Sequence, residues 1–147
     1  MKEMEQIEAL LQKPYFVIDF LPEQVPQSFQ GSFFEIEEYF LNSKELVNIA
    51  DKFTRIILKL LCYFKADIFT DQWTGSRVKC SQLSTLVRDM VLSKNGYMNI
   101  LFANENALLF VEGGTLDLTL YNPNADVQRI ASALAHSEGL FWRAGIN

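Results

Sequence analysis

Residues 97–121 read YMNILFANENALLFVEGGTLDLTLY. Two polar interruptions, Ala103-Asn104-Glu105-Asn106 and Gly113-Gly114, divide this stretch into apolar runs of strand length at 97–102, 107–112 and 115–121. A Gly-Gly pair supplies the positive φ of a tight hairpin, so the second interruption predicts a two-residue turn. In the last run Leu116, Leu118 and Leu120 point one way and Asp117 and Thr119 the other, the alternation of a strand with one buried and one wet face. Three strands joined by short turns form an antiparallel meander. That decides the class: an α+β fold with an antiparallel sheet of about four or five strands and helices packed on one side.

The covering helix lies upstream, over residues 43–64. Leu46, Ile49, Ala50, Phe53, Ile56, Ile57, Leu60, Leu61 and Phe64 recur at helical intervals, while Asn48, Lys52, Arg55 and Lys59 share the opposite face. At 1.5 Å per residue this helix would be about 33 Å long, and it is expected to be the central packing element. Asn42 and Glu45 have capping-box-like spacing at its start. Residues 66–70 predict a second strand and 71–79 a loop. Ser81 caps a helix to residue 94, with Leu83, Leu86, Val87, Met90 and Val91 facing inward and Gly96 as its stop. After the meander, Asn122-Pro123-Asn124 opens a helix over 125–137, and 140–143 predict a short return strand. At the other end, 3–12 read as a helix ended by Pro14, and 15–21 as a strand whose apolar run is broken by Asp19. A loop over 22–31 precedes residues 32–41, where strand-like alternation competes with a helix; the Ser32 and Glu35 spacing favours the helix.

The chain has 147 residues, the length of one domain spanning 1–147. Twelve Phe suggest bulky packing and some apolar surface kept for a partner. The N-terminus carries both charges with no apolar run behind it, and the most apolar stretch, 56–64, is interrupted by Lys59. It falls well short of the roughly 20 residues that span a bilayer, so no membrane association is expected. Cys62 and Cys80 lie far apart with no CxxC, the pattern of two buried or idle thiols in a cytoplasmic protein. The net charge of −5 is unevenly spread: residues 1–50 hold nine acids and three bases, residues 51–100 four acids and eight bases. The acidic total argues against nucleic-acid binding, while the basic middle third leaves room for a local anion or partner site.

Chemistry-bearing motifs are sparse. There is no phosphate-binding loop, nucleophile elbow or metal-binding motif, so neither metal nor cofactor is expected. His136 is the only histidine. Near a helix C-terminus it is either a general base or a residue placed to suit the last carbonyls and the helix dipole; the second reading is the simpler. Cys62 sits on or beside the apolar face of the long helix and Cys80 ahead of a helix N-terminus, so Cys80 with His136 is the nucleophile–base pair the sequence offers. Asp19, Asp67 and Asp71, with His136, form a candidate acid–base or Mg²⁺-binding set if the fold gathers them at strand ends. The segment DQWTGSRVK at 71–79 joins an aromatic ring to cations, making Trp73, Arg77 and Lys79 candidate ligand or partner contacts. Trp142 and Arg143, in Leu140-Phe141-Trp142-Arg143, belong either to a covering strand or to an exposed contact. The run Glu35, Glu37 and Glu38 and the stripe Lys52, Arg55 and Lys59 read first as solvated faces; the functional readings are an acidic surface for a basic partner and a contact for phosphates or an acidic partner.

Together these features predict a non-enzymatic protein-interaction or regulatory module, acting on a protein partner or on its own copy as a homodimer. An immunity- or antitoxin-type inhibitor of a basic target would fit the acidic charge. The alternative is a small-molecule-binding protein or hydrolase-like enzyme, with a pocket for an anionic or aromatic ligand near Trp73 and Arg77.

Overall fold

The computed structural model describes residues 2–71, 75–76 and 79–145. In chain order it comprises α1 (Lys2–Leu10), β1 (Tyr15–Asp19), a 3₁₀ turn (Gln27–Phe29) running into α2 (Gln30–Leu41), α3 (Glu45–Leu60), β2 (Asp67–Thr70), β3 (Gly75–Ser76), α4 (Cys80–Ser93), β4 (Tyr97–Phe102), β5 (Ala107–Glu112), β6 (Asp117–Tyr121), α5 (Ala125–Ser137) and β7 (Phe141–Ala144). The strands form one sheet in the order β3-β2-β4-β5-β6-β1-β7, and every neighbouring pair is antiparallel. The α+β class is as read from the sequence. The strand number is seven rather than four or five, because every apolar run enters this sheet and Gly75–Ser76 adds a short edge to β2.

One face of the sheet carries the main core. Ile18, Ile68, Met98, Ile100, Phe102, Leu109, Val111, Leu118 and Leu120 pack against α3, α4 and α5. From α3 come Leu46, Ala50, Phe53, Ile56, Ile57 and Leu60, the apolar side of the periodic stripe. The helix is shorter than its pattern, about 24 Å, because Asn42 belongs to the end of α2: its Nδ2 donates to the Glu38 carbonyl at 2.9 Å. The Ser43 hydroxyl, rather than Asn42, accepts the Glu45 N–H at 3.1 Å.

The helices are not confined to one side. Ile7 and Leu10 of α1 pack on Leu101 and Leu108 of the opposite face, with Phe69 and Tyr121 around them. Leu101 and Leu108 are register partners, and without α1 they would form an apolar patch in water. Residues 32–41 are helical, and α2 begins at Gln30, so Ser32 is not its cap. Lys79 stands ahead of α4, which places Ser81 inside that helix. The Asn124 side chain caps α5 as expected, accepting the Val127 N–H at 2.9 Å. No described helix is long and apolar enough to cross a membrane.

The glycine turn is wider than predicted, since β6 starts at Asp117 rather than Thr115. Gly114 has the positive φ, 88°. Gly113 is needed for space: a Cβ there would lie 2.4 Å from the Asn95 nitrogen and 2.6 Å from the Met90 carbonyl oxygen. These are backbone atoms of the last turn of α4 and of the connection leaving it, and they cannot rotate away. Two variants test this packing in urea unfolding. Phe53→Ala is expected to lose about 3–5 kcal/mol through the cavity it leaves, and Gly113→Ala to lose more than about 1 kcal/mol by forcing α4 off the turn.

Candidate functional site

β1 ends at Asp19 and β6 begins at Asp117, and the two are register partners. Their side chains lie on the face away from α3, so two carboxylates sit directly opposite one another, a repulsive cross-strand pair. β7 flanks β1 on its other side and brings Arg143 opposite Val17. From there the Arg143 Nη2 donates to the Asp19 Oδ2 at 2.8 Å, with both side chains largely buried. Asp19 Oδ1 accepts the Phe20 N–H at 2.7 Å, and the Arg143 Nη1 donates to the Gln24 side chain at 3.2 Å. The Arg143 Nε is buried and has no partner among the described residues.

The loop after β1 and one side of α2 close over this pair and leave a cleft of about 180 Å³. Asp19, Glu23, Glu37 and Asp117 line it beside Arg143, with Phe20, Phe33 and Leu116 as apolar wall. Four carboxyls thus face one guanidinium, and Asp19 already occupies that guanidinium. Glu23, Glu37 and Asp117 have no ion-pair partner among the described residues. Burial pushes the Asp117 carboxyl above its ordinary range, and the Asp19 charge pushes it further; a Thr115 hydrogen bond and Arg143 oppose this. Glu37 is raised by burial, then by Asp117 and Asp19. Residues 14–43, which supply most of the lining, contain five acids and no Lys or Arg. The arrangement is suited to receiving a cation.

The residues singled out from the sequence are dispersed, with one exception: Asp19 and Arg143 meet. Asp67 is on β2 and Asp71 just beyond it, and β4, β5 and β6 separate β2 from β1. At about 4.8 Å per strand, that is roughly 19 Å. His136 is exposed at the end of α5. Its neighbour Glu138 turns instead to Arg55 of α3, with contacts of 2.7 and 3.0 Å. The Arg55 hydrogen bond holds the Glu138 carboxyl low, and Lys59 and Lys52 add to the effect, so the basic stripe of α3 serves this contact. Cys62 and Cys80 are both exposed rather than buried. Trp142 covers the core side of β1, stacked on Phe16 with ring centres 4.9 Å apart. Lys79 is exposed ahead of α4, and Trp73 and Arg77 lie outside the described residues. Among the described residues no group of three or more His, Cys, Asp or Glu side chains is placed to hold a metal ion.

Sequence reading missed Glu23, Gln24 and Asp117, and took Glu37 only as part of the acidic run with Glu35 and Glu38. The alternation of 115–121 does set Asp117 apart from the leucines, and Asp19 interrupts its own strand, but nothing local pairs the two strands. No family model, curated protein or solved structure matches this chain.

Two stability measurements follow from the geometry. Because the Asp117 carboxyl is raised, the folded state holds its proton more tightly than the unfolded chain does; the associated stability is lost as pH rises through the raised value. Asp117→Asn is therefore expected to raise Tm at pH 7 by on the order of 2 °C or more, and to lose that advantage below about pH 4. Arg143→Met leaves Asp19 buried and unpaired, and is expected to cost about 3 kcal/mol in urea unfolding, part of it recovered in the Asp19→Asn/Arg143→Met double variant.

Proposed function

We propose that this chain is a non-enzymatic protein-interaction or regulatory module of the cytoplasm, working by the surface that α2 presents. The observation that carries this reading is the exposure of that helix. None of its twelve residues is fully buried. Phe29 just before it is 60% exposed, and Phe34, Ile36 and Tyr39 on it are 58, 51 and 64% exposed. Half of the eight exposed large hydrophobics among the described residues fall in these eleven positions. Apolar surface concentrated in this way marks a contact site more often than it serves folding. The dispersal of Asp67, Asp71 and His136 away from Asp19 favours the same reading, since acid–base chemistry needs its groups within hydrogen-bond reach.

The alternative, a pocket for an anionic or aromatic ligand near Trp73 and Arg77, involves residues outside the described ones, and the cleft at Asp19 is not that pocket. The cleft described above is lined by four carboxyls and a guanidinium already engaged, which repel an anion. The test compares the untagged protein with the Ile36→Ser/Tyr39→Ser variant by native mass spectrometry, light scattering and pull-down from host lysate. Both residues are exposed, so the variant should keep its stability within about 0.5 kcal/mol per site. A stoichiometric partner or a dimer is expected for the original protein and not for the variant. A monomer with the same recoveries as its variant would remove the reading.

A further inference from the structure

We propose that α2 and the cleft beside it dock a basic protein segment. Its apolar side chains would cover Phe29, Ile36 and Tyr39, which share one side of the helix, and one Lys or Arg would enter the cleft against Glu37 and Asp117. This rests on the interaction-module reading and adds the chemistry of the partner.

Three observations lead there. The first is the shape of the surface. Phe29, Phe33, Ile36 and Phe40 recur at spacings of four, three and four along one side of the helix, the spacing by which helices seat against a partner. Phe40 is spent on the core, where it contacts Phe20 edge-on, while Phe29 and Ile36 remain in water. Phe33 lines the cleft and touches Phe34, with ring centres 5.6 Å apart. Phe33 shares its side of α2 with Phe29 and Ile36, so that apolar stripe adjoins the cleft, whereas Phe34 lies about 160° around the helix from Ile36.

The second observation is charge. The segment 14–43 holds Asp19, Glu23, Glu35, Glu37 and Glu38 without a base, and Asp19 alone among the cleft acids has its ion-pair partner. A cation brought against Glu37 and Asp117 relieves both their burial and their mutual repulsion. A basic segment is attracted along the whole face, whereas nucleic acid and anionic lipid are repelled by it. A second copy of this chain is disfavoured for the same reason: α2 against α2 would set Glu35, Glu37 and Glu38 against the same three acids.

The third is size. A cleft of about 180 Å³ is smaller than the roughly 300–1,000 Å³ of a drug-sized ligand site. It suits a single long side chain delivered by a larger partner that rests on the aromatic rim.

The test uses the full chain and two labelled synthetic probes, an amphipathic helical peptide of Leu and Lys and its counterpart of Leu and Glu, read by fluorescence anisotropy at low and moderate salt. The Leu/Lys peptide is expected to bind, more weakly as salt rises, and the Leu/Glu peptide not to bind. Glu37→Gln and Ile36→Ser/Tyr39→Ser are each expected to weaken binding about fivefold or more. Glu3→Gln/Glu5→Gln/Glu8→Gln removes three exposed charges from α1 and should leave it unchanged; circular dichroism confirms that each variant is folded. Equal binding of both peptides overturns the proposal, as does a loss in the α1 variant as large as that in Glu37→Gln. Light scattering separates this failure from that of the broader reading. A dimer abolished by Ile36→Ser/Tyr39→Ser, with no Leu/Lys binding, keeps the module and replaces the basic partner by a second copy. A monomer that binds neither peptide removes the basic partner, and the module reading falls with it only if the lysate recoveries also match those of the Ile36→Ser/Tyr39→Ser variant.

Discussion

The apolar side of α3 must be taken out of water, and most of the architecture follows from where it goes. Leu46, Ala50, Phe53, Ile56, Ile57 and Leu60 form a strip that only a broad apolar surface can cover. The meander provides it, with Met98, Ile100, Phe102, Leu109, Val111, Leu118 and Leu120 all on one face. Once α3 lies there, α4 and α5 complete the same layer with Leu83, Val87, Val91, Val127, Ala131 and Ala135. Three helices on one face leave the other face with little cover. α1 shields only the part around Leu101 and Leu108. The remainder, toward the end of β1 and the start of β6, is closed by the loop after β1 and by α2. That helix reaches the core only through Phe40 and Leu41, and so Phe34, Ile36 and Tyr39 stay in solvent.

The same geometry explains the electrostatics of the cleft. Antiparallel pairing of β1 with β6 sets Asp19 opposite Asp117, and β7 contributes the one cation within reach. Arg143 resolves one of the two carboxylates and cannot resolve both. Burial then acts on Asp117 and on Glu37 above it. Carboxyls held in a half-enclosed space without a counter-charge reduce folding stability.

The remaining polar contacts fasten the periphery. The Lys94 Nζ donates to the Asn42 side chain at 2.8 Å, tying the end of α4 to the turn between α2 and α3. Gln6 reaches the β4–β5 turn at Ala103 and Asn106, which fixes α1 over its patch. Arg55 and Glu138 link α3 to the end of α5. That last contact sets the basic side of α3 against the acid two residues beyond His136.

The sequence by itself determined the elements whose side chains report their own environment. The leucine alternation of 115–121, the run of apolar residues at helical period from Leu46 to Leu60, and the Asn124 cap are local patterns. Each is set by periodicity or by one hydrogen bond within a few residues. Local pattern also showed that Asp19 stands out in its strand. Only the tertiary structure decided what faces it. Asp117 arrives by strand pairing across almost a hundred residues and Arg143 across 124, and period-two alternation names the face of a strand without naming its neighbour. For the same reason the sequence could not say that α1 takes the second face, or that α2 is left without one. Both depend on which surfaces the other helices have already covered.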